Sequence, residues 1–164
     1  FSFKKRTKVV CQIVKYADPL EVRIIQVLGH PDDAGVDISA MLTSNQVRQV
    51  FNGKIVKECK RIPAKVQKDE LEYRKDLRGL LTVTIDGDDA KDFDDAISIV
   101  KNEKGYLLYV HIADVSHYVK ENSALDQEAY LRGNSIYVCD RVVPMLPFDL
   151  SNGICLISVV HIKK

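Results

Sequence analysis

A mixed α+β fold is predicted for this chain of 164 residues by three features. β-rich runs occupy the first thirty residues, helical spacing follows in the middle, and β-rich runs return from Leu80 onward. The length leaves room for one domain, or for one small domain plus part of another.

Taken in order, Val9–Val14 and Leu20–Ile25 are two β-rich runs joined by Lys15-Tyr-Ala-Asp-Pro19, a hairpin-like pair with a proline in its turn. Two strands alone are rarely stable in water, so they read as the end of a larger β domain. His30-Pro-Asp-Asp-Ala-Gly35 is a loop and a boundary candidate. Asp37–Leu42 and then Ser44–Phe51 carry helical spacing, with Val47, Val50 and Phe51 at i, i+3 and i+4. Lys54–Lys75 is highly charged and contains Pro63, which predicts a short helix and an exposed connection. Val83–Ile85, Ala96–Val100 and Tyr106–Ile112 read as strands, the last two joined by a turn at Asn102–Gly105. Ser123-Ala-Leu-Asp126 resembles a capping box and predicts a helix through about Arg132. Ser135–Val138 reads as extended, and Pro144-Met-Leu-Pro147 as a rigid loop.

Composition excludes several classes. Hydrophobic residues at 46% and charged residues at 29% are ordinary for a globular protein. The longest apolar runs are far short of a membrane span, so no membrane partner is expected. The basic N-terminal stretch lacks the apolar segment of a signal peptide, and the first residue, Phe1, points to a piece of something longer. Cys11, Cys59, Cys139 and Cys155 form no Cys-x-x-Cys pair and no zinc spacing with His30, His111, His117 or His161, and free thiols are expected. No catalytic role is assigned to His111 or His117, and His111 reads as packed or hydrogen-bonded on its strand. The net charge of +1 conceals an asymmetry: residues 1–78 hold 16 Lys/Arg against 10 Asp/Glu, and residues 79–164 hold 8 against 13. A basic front and an acidic back suit a nucleic-acid ligand guided by the first and cut at metal ions in the second, although charge alone is equally met by two solvated faces.

Six aspartates fall within the ten residues Asp86-Gly-Asp-Asp-Ala-Lys-Asp-Phe-Asp-Asp95. Like charges at this density repel, and a folded chain gathers them around a compensating cation. The flanks are Leu81-Thr-Val-Thr-Ile85 and Ala96-Ile-Ser-Ile-Val100, strand composition rather than that of a disordered acidic tail. Carboxylates at the mouth of a sheet suit a hard cation such as Mg²⁺. A calcium loop of the EF-hand type fails, because counting from Asp86 puts Lys91 where Gly is needed and Ile97 where Glu is needed. The two Asp-x-Asp triplets, Asp86/Asp88 and Asp92/Asp94, are too short to be specific.

The wider pattern is specific. Asp76-Leu-Arg-Gly-Leu-Leu-Thr-Val-Thr-Ile-Asp86 is followed by Asp92-Phe-Asp-Asp-Ala96, Val110-His-Ile-Ala-Asp-Val-Ser116, Pro144-Met-Leu-Pro147 and Leu150-Ser-Asn-Gly-Ile-Cys155. In this order the motifs resemble the opening of the RNB catalytic domain of the ribonuclease II/ribonuclease R family, the ribonuclease R branch most closely. Residues 1–30 resemble the tail of the cold-shock-type OB domain that precedes it. The resemblance implies the end of an OB-type β domain over 1–30, a helical connection over 31–73, and the first part of an RNB domain with its opening mixed sheet over 74–164.

It also implies a chemistry: Mg²⁺-dependent 3′→5′ hydrolysis of single-stranded RNA from its 3′ end, releasing 5′-nucleoside monophosphates in the cytoplasm without a small-molecule cofactor. By the same resemblance, Asp86, Asp92, Asp94 and Asp95 are the carboxylates that hold the metal, with Asp94 the least replaceable. Two-metal hydrolysis places divalent ions about 3.5–4 Å apart, where four carboxylates neutralise most of their charge. Tyr137 matches the aromatic that stacks on bases near the 3′ end. Asp88 and Asp89 lie outside the pattern and read as solvated loop charges. No oligomer is predicted. After Cys155 the sequence leaves the family's usual Ser-Leu-x-Pro continuation, and the family's catalytic arginine, further channel aromatics and terminal S1 domain lie beyond the matched region. A truncated or frame-shifted product is therefore expected, with a non-enzymatic RNA-binding remnant as the alternative function.

Overall fold

The computed structural model describes residues 3–87, 90, 93–155, 157 and 160–163, the last four by backbone alone. The chain divides into two compact units, residues 1–50 with 136–143, and residues 51–135 with 144–164.

In the first unit, β1 (Lys8–Lys15) and β2 (Glu21–Gly29) form an antiparallel ribbon, in register from Lys8 opposite Gly29 to Lys15 opposite Glu21 with irregularities between. The predicted hairpin is therefore present, and Ile13, Val22, Ile24 and Val27 on it are exposed. Gly29 ends the ribbon at φ 127, and a Cβ there would meet Val36 Cγ2 at 2.8 Å. That approach lets helix α1 (Val36–Ser44) start directly after the loop, burying Val36 and Leu42. The helical spacing read through Ser44–Phe51 does not become helix. Asn45 Nδ2 donates back to the Met41 carbonyl at 2.9 Å, and Gln46 takes a positive φ of 56, so the chain leaves the helix there. Val50, read as part of an apolar stripe, is 82% exposed. A second short ribbon pairs β6 (Ile136–Tyr137) with β7 (Val142–Val143).

The second unit is built on two short helices and a sheet. Helix α2 (Gly53–Cys59) is capped by Asn52, whose Oδ1 accepts from the N–H groups of Lys54 and Ile55 at 2.9 and 3.1 Å. Helix α4 (Ala124–Arg132) begins as predicted at Ser123, whose Oγ accepts from Asp126 N–H at 3.1 Å, and ends at Gly133. A carboxylate from α2, Glu58, accepts from the first N–H of α4, on Ala124, at 3.0 Å, which suits the positive end of a helix dipole. Ile55, Cys59, Leu125, Leu150 and Cys155 form the core between these elements. At the far end of α4, Arg132 pairs with Glu128 at 3.0 Å with both side chains almost fully buried. Its other nitrogen donates to the Pro144 carbonyl at 3.0 Å, and its guanidinium lies 3.7 Å from the centre of the Phe51 ring.

Among the described residues the sheet has four strands in the order β5-β4-β3-β8. Strands β3 (Thr82–Asp86), β4 (Asp95–Asn102) and β5 (Gly105–Ile112) are antiparallel, and β8 (Val160–Lys163) pairs with β3 in parallel, which makes the sheet mixed as expected. One face buries Thr84, Ala96 and Ser98; the other exposes Ile85, Ile99, Leu108, Val110 and Ile112. Helix α3 (Val115–Tyr118) follows β5 directly. Among the described residues no helix is long and apolar enough to cross a membrane.

Candidate functional site

The antiparallel pairing of Thr82 with Ser98 and Val83 with Ile97 brings the end of β3 and the start of β4 to one edge of the sheet. Asp86 closes β3 and Asp95 opens β4, with Asp94 one residue earlier. Strand β5 ends at the same edge, Ile112 opposite Asp95. Three of the four predicted acids thus share one sheet edge because the hairpin's register puts them there. Asp92 lies outside the described residues, as do Asp88 and Asp89.

These acids have different surroundings. Side-chain alternation sets Asp86 on the face of Thr84, and its Oδ2 is buried with no hydrogen-bond partner among the described residues. Asp95 falls on the opposite face, with Ile97 and Ile99, and is exposed. Asp94 is exposed, and its backbone is held from two sides: its own carbonyl accepts from Ala113 N–H at 2.9 Å, and that of Phe93 accepts from Ile157 N–H at 3.0 Å. Among the described residues, no three His, Cys, Asp or Glu side chains are grouped closely enough to hold a metal ion. The unpartnered Asp86 oxygen is nevertheless what a hard cation would fit, since a buried carboxylate oxygen left without donors is costly.

Further along the buried face, away from Asp86, polar groups are partnered. Thr82 Oγ1 lies 2.7 Å from Ser98 Oγ, which lies 2.8 Å from His111 Nε2. His111 is therefore a hydrogen-bonded strand residue, as read from the sequence. Next to this series of hydrogen bonds a cleft of about 670 Å³ is lined by Arg74, Lys75, Arg78, Asp114 and Cys155 among others, but not by Asp86, Asp94 or Asp95.

Sequence reading missed a second polar group, on α3 and the segment before β3. Arg74 Nη2 donates to Asp114 Oδ2 at 2.6 Å, and Ser116 Oγ donates to Asp114 Oδ1 at 3.2 Å. Tyr118 Oη donates to Glu70 Oε2 at 2.8 Å, His117 Nε2 lies 3.2 Å from the same oxygen, and Gln67 N–H binds the other one. The guanidinium of Arg74 holds the Asp114 carboxyl below its ordinary range. The Gln67 N–H, followed by the Tyr118 hydroxyl, does the same for Glu70. Burial, reinforced by Glu70, pushes the Tyr118 phenol up to about 12. Burial likewise raises the Cys155 thiol, and the nearby charges of Asp94 and then Asp114 raise it further, so these two carboxylates share a neighbourhood. Asp114 stands within the quoted Val110–Ser116 motif, which was the available signal. Arg74 lay in a stretch read only as an exposed connection.

Tyr137, the remaining predicted residue, ends β6 opposite Val142 in the first unit and is 63% exposed.

Comparison with known families gives the RNB domain over residues 74–159, more than half of the chain, and a cold shock domain over residues 2–52. The chain belongs to the RNB-domain family. Among RNB relatives, a ribonuclease R of Thermotoga maritima is 52% identical over 158 residues, which cover 93% of this chain and 22% of that protein. The chain thus spans about a fifth of the length of this curated relative. Solved RNB structures similar to it include Mycoplasma genitalium RNase R in complex with ribose-methylated single-stranded RNA, at a TM-score of 0.84 and 38% identity over 92% of this chain and 24% of that one. The same enzyme in complex with double-stranded RNA gives 0.81 and 38% over 90% and 27%. The OB-type domain followed by an RNB domain that the sequence implied is the order of these two family matches.

Proposed function

We propose that this chain is the part of a ribonuclease R-type exoribonuclease that carries the metal-binding carboxylates, and that the whole protein hydrolyses RNA from its 3′ end to 5′-nucleoside monophosphates. The observation that carries this reading is the buried oxygen of Asp86, without a partner among the described residues, at the edge where the RNB motif acids of β3 and β4 meet. Asp86, Asp92, Asp94 and Asp95 would hold Mg²⁺. When bound, divalent ions supply charge neutralisation on the phosphate and a lowered pKa for the attacking water. The protein's own part is to orient. The strand register holds Asp86 and Asp95 at one edge, and the two backbone hydrogen bonds on Phe93 and Asp94 hold the connection between them. Positioning of this kind is a large share of what a hydrolase contributes to rate. Tyr137 would stack on a base, a contact of about 1–3 kcal/mol that does not depend on base identity. A cytoplasmic location follows from this reading.

A second reading, RNA binding without cleavage, is favoured by the basic front of the chain, where residues 1–78 hold 16 Lys/Arg against 10 Asp/Glu. One experiment separates the two. The full-length protein is given uniformly labelled single-stranded RNA with Mg²⁺, and release of 5′-monophosphates is followed for the natural sequence and for Asp94→Asn. Cleavage lost by a factor of about 100 or more in the variant, with RNA binding kept, is the expected result for a residue that holds the metal rather than the RNA. Binding without cleavage in both proteins would establish the second reading, and its affinity should then fall with salt.

A further inference from the structure

We infer that Arg74 and Asp114 are positioning residues for Asp94, acting through the backbone that joins β5 to α3; the inference rests on the reading of Asp94 as a site carboxylate. Helix α3 has four residues, too few to stand by its own hydrogen bonds. It is pinned at both ends to the segment over 67–74. At its start Arg74 holds Asp114 at 2.6 Å, and at its end Tyr118 and His117 hold Glu70 at 2.8 and 3.2 Å. Ala113, the residue before Asp114, is the one whose N–H donates to the Asp94 carbonyl at 2.9 Å.

The chain of support is therefore short: Arg74 to the Asp114 carboxylate, Asp114 to its neighbour Ala113, and Ala113 to the backbone of Asp94. Every link is a hydrogen bond or a covalent bond. The pair also has an electrostatic role. Asp94 and Asp114 both act on Cys155, so a second carboxylate stands in the neighbourhood of the first, and Arg74 compensates it locally. Supporting groups of this type orient metal-site ligands in general.

The two roles predict opposite metal affinities for Arg74→Gln, which makes that variant decisive. In the full-length protein, Arg74→Gln and Asp114→Asn are compared with the natural sequence by residue-level hydrogen exchange and by Mn²⁺ binding measured calorimetrically. Positioning predicts that exchange of the Ala113 amide speeds up about two- to fivefold in both variants, the range a half-exposed ion pair supports, while the Leu125 amide in the core is unchanged. It also predicts that Mn²⁺ binds more weakly in both, by up to about tenfold. A purely electrostatic role predicts tighter binding in Arg74→Gln and weaker binding in Asp114→Asn, and that result overturns the inference. So does an Ala113 amide that exchanges at the natural rate in both variants. Should Asp114→Asn not fold, Asp114→Glu keeps the charge, alters the reach, and is expected to give the same directions. If the natural protein binds no Mn²⁺, the reading of the acids fails, and the Ala113 amide alone decides whether the clasp holds Asp94.

Discussion

The two ends of β3 treat polar side chains in opposite ways. At its start Thr82 lies in an unbroken series of hydrogen bonds with Ser98 and His111, so groups taken from water are repaid by protein partners. At its end, on the same face, Asp86 keeps a buried oxygen with no partner among the described residues. The strand satisfies its polar groups at one end and, on the proposed reading, leaves a carboxylate oxygen for a cation at the other.

That contrast can be broken in three ways. The largest effect expected is from metal. Free Mn²⁺ at about 100 times its dissociation constant should stabilise the natural protein by about 2.7 kcal/mol, and Asp86→Asn should abolish that gain. Thermal unfolding with and without the ion measures it, and an unchanged gain in the variant would remove Asp86 from the site. Ser98→Ala comes next. It leaves both Thr82 and His111 short of a partner and should cost about 1–3 kcal/mol in denaturant titration, independently of metal. Asp86→Asn in the presence of a chelator should move the other way, stabilising the apo protein by about 1 kcal/mol because a carboxylate with one buried oxygen lacking a donor among the described residues is neutralised. A loss of stability there would mean that the oxygen has a protein partner in solution.

The smallest effect is on acid stability. Asp114 and Glu70 have folded-state pKa values below their unfolded ones, so their contribution is complete above the ordinary carboxylate range and is lost as pH falls through the lowered values. Unfolding temperature should therefore decline below about pH 4, and Arg74→Gln should flatten that decline. Equal slopes in the two proteins would show that Arg74 does not set the Asp114 carboxyl.

Much of this arrangement was legible in the sequence. The β-rich runs around the aspartates became β3, β4 and β5, and the Ser123 cap started its helix where the pattern put it. These features are local: alternation and capping are written within a few residues. Failure came where a local signal was overridden or where partners were distant. Val47, Val50 and Phe51 had helical spacing, but Asn45 and Gln46 had already turned the chain out of the helix. The Arg74–Asp114 pair joins residues forty positions apart, and nothing in either neighbourhood marks the other. For the candidate site, the sequence identified which acids matter to the family pattern. Register alone separated their surroundings, setting Asp86 on the buried face and Asp95 on the exposed one.

The segment carrying Tyr137 is also tied at its base. Residues 136–143 leave the second unit after Ser135 and return at Pro144. Two hydrogen bonds close that neck: Arg132 donates to the Pro144 carbonyl, and Met145 N–H donates to Ser135 Oγ. In the language of chain entropy, these contacts turn an excursion into a closed ring, and a ring explores far fewer conformations than a strand tethered at one end. A lysine at position 132 would keep the charge but could not serve Glu128, the Pro144 carbonyl and the Phe51 ring together. The cost of that substitution would be felt as slack in the ring, at a tyrosine that Arg132 need not touch.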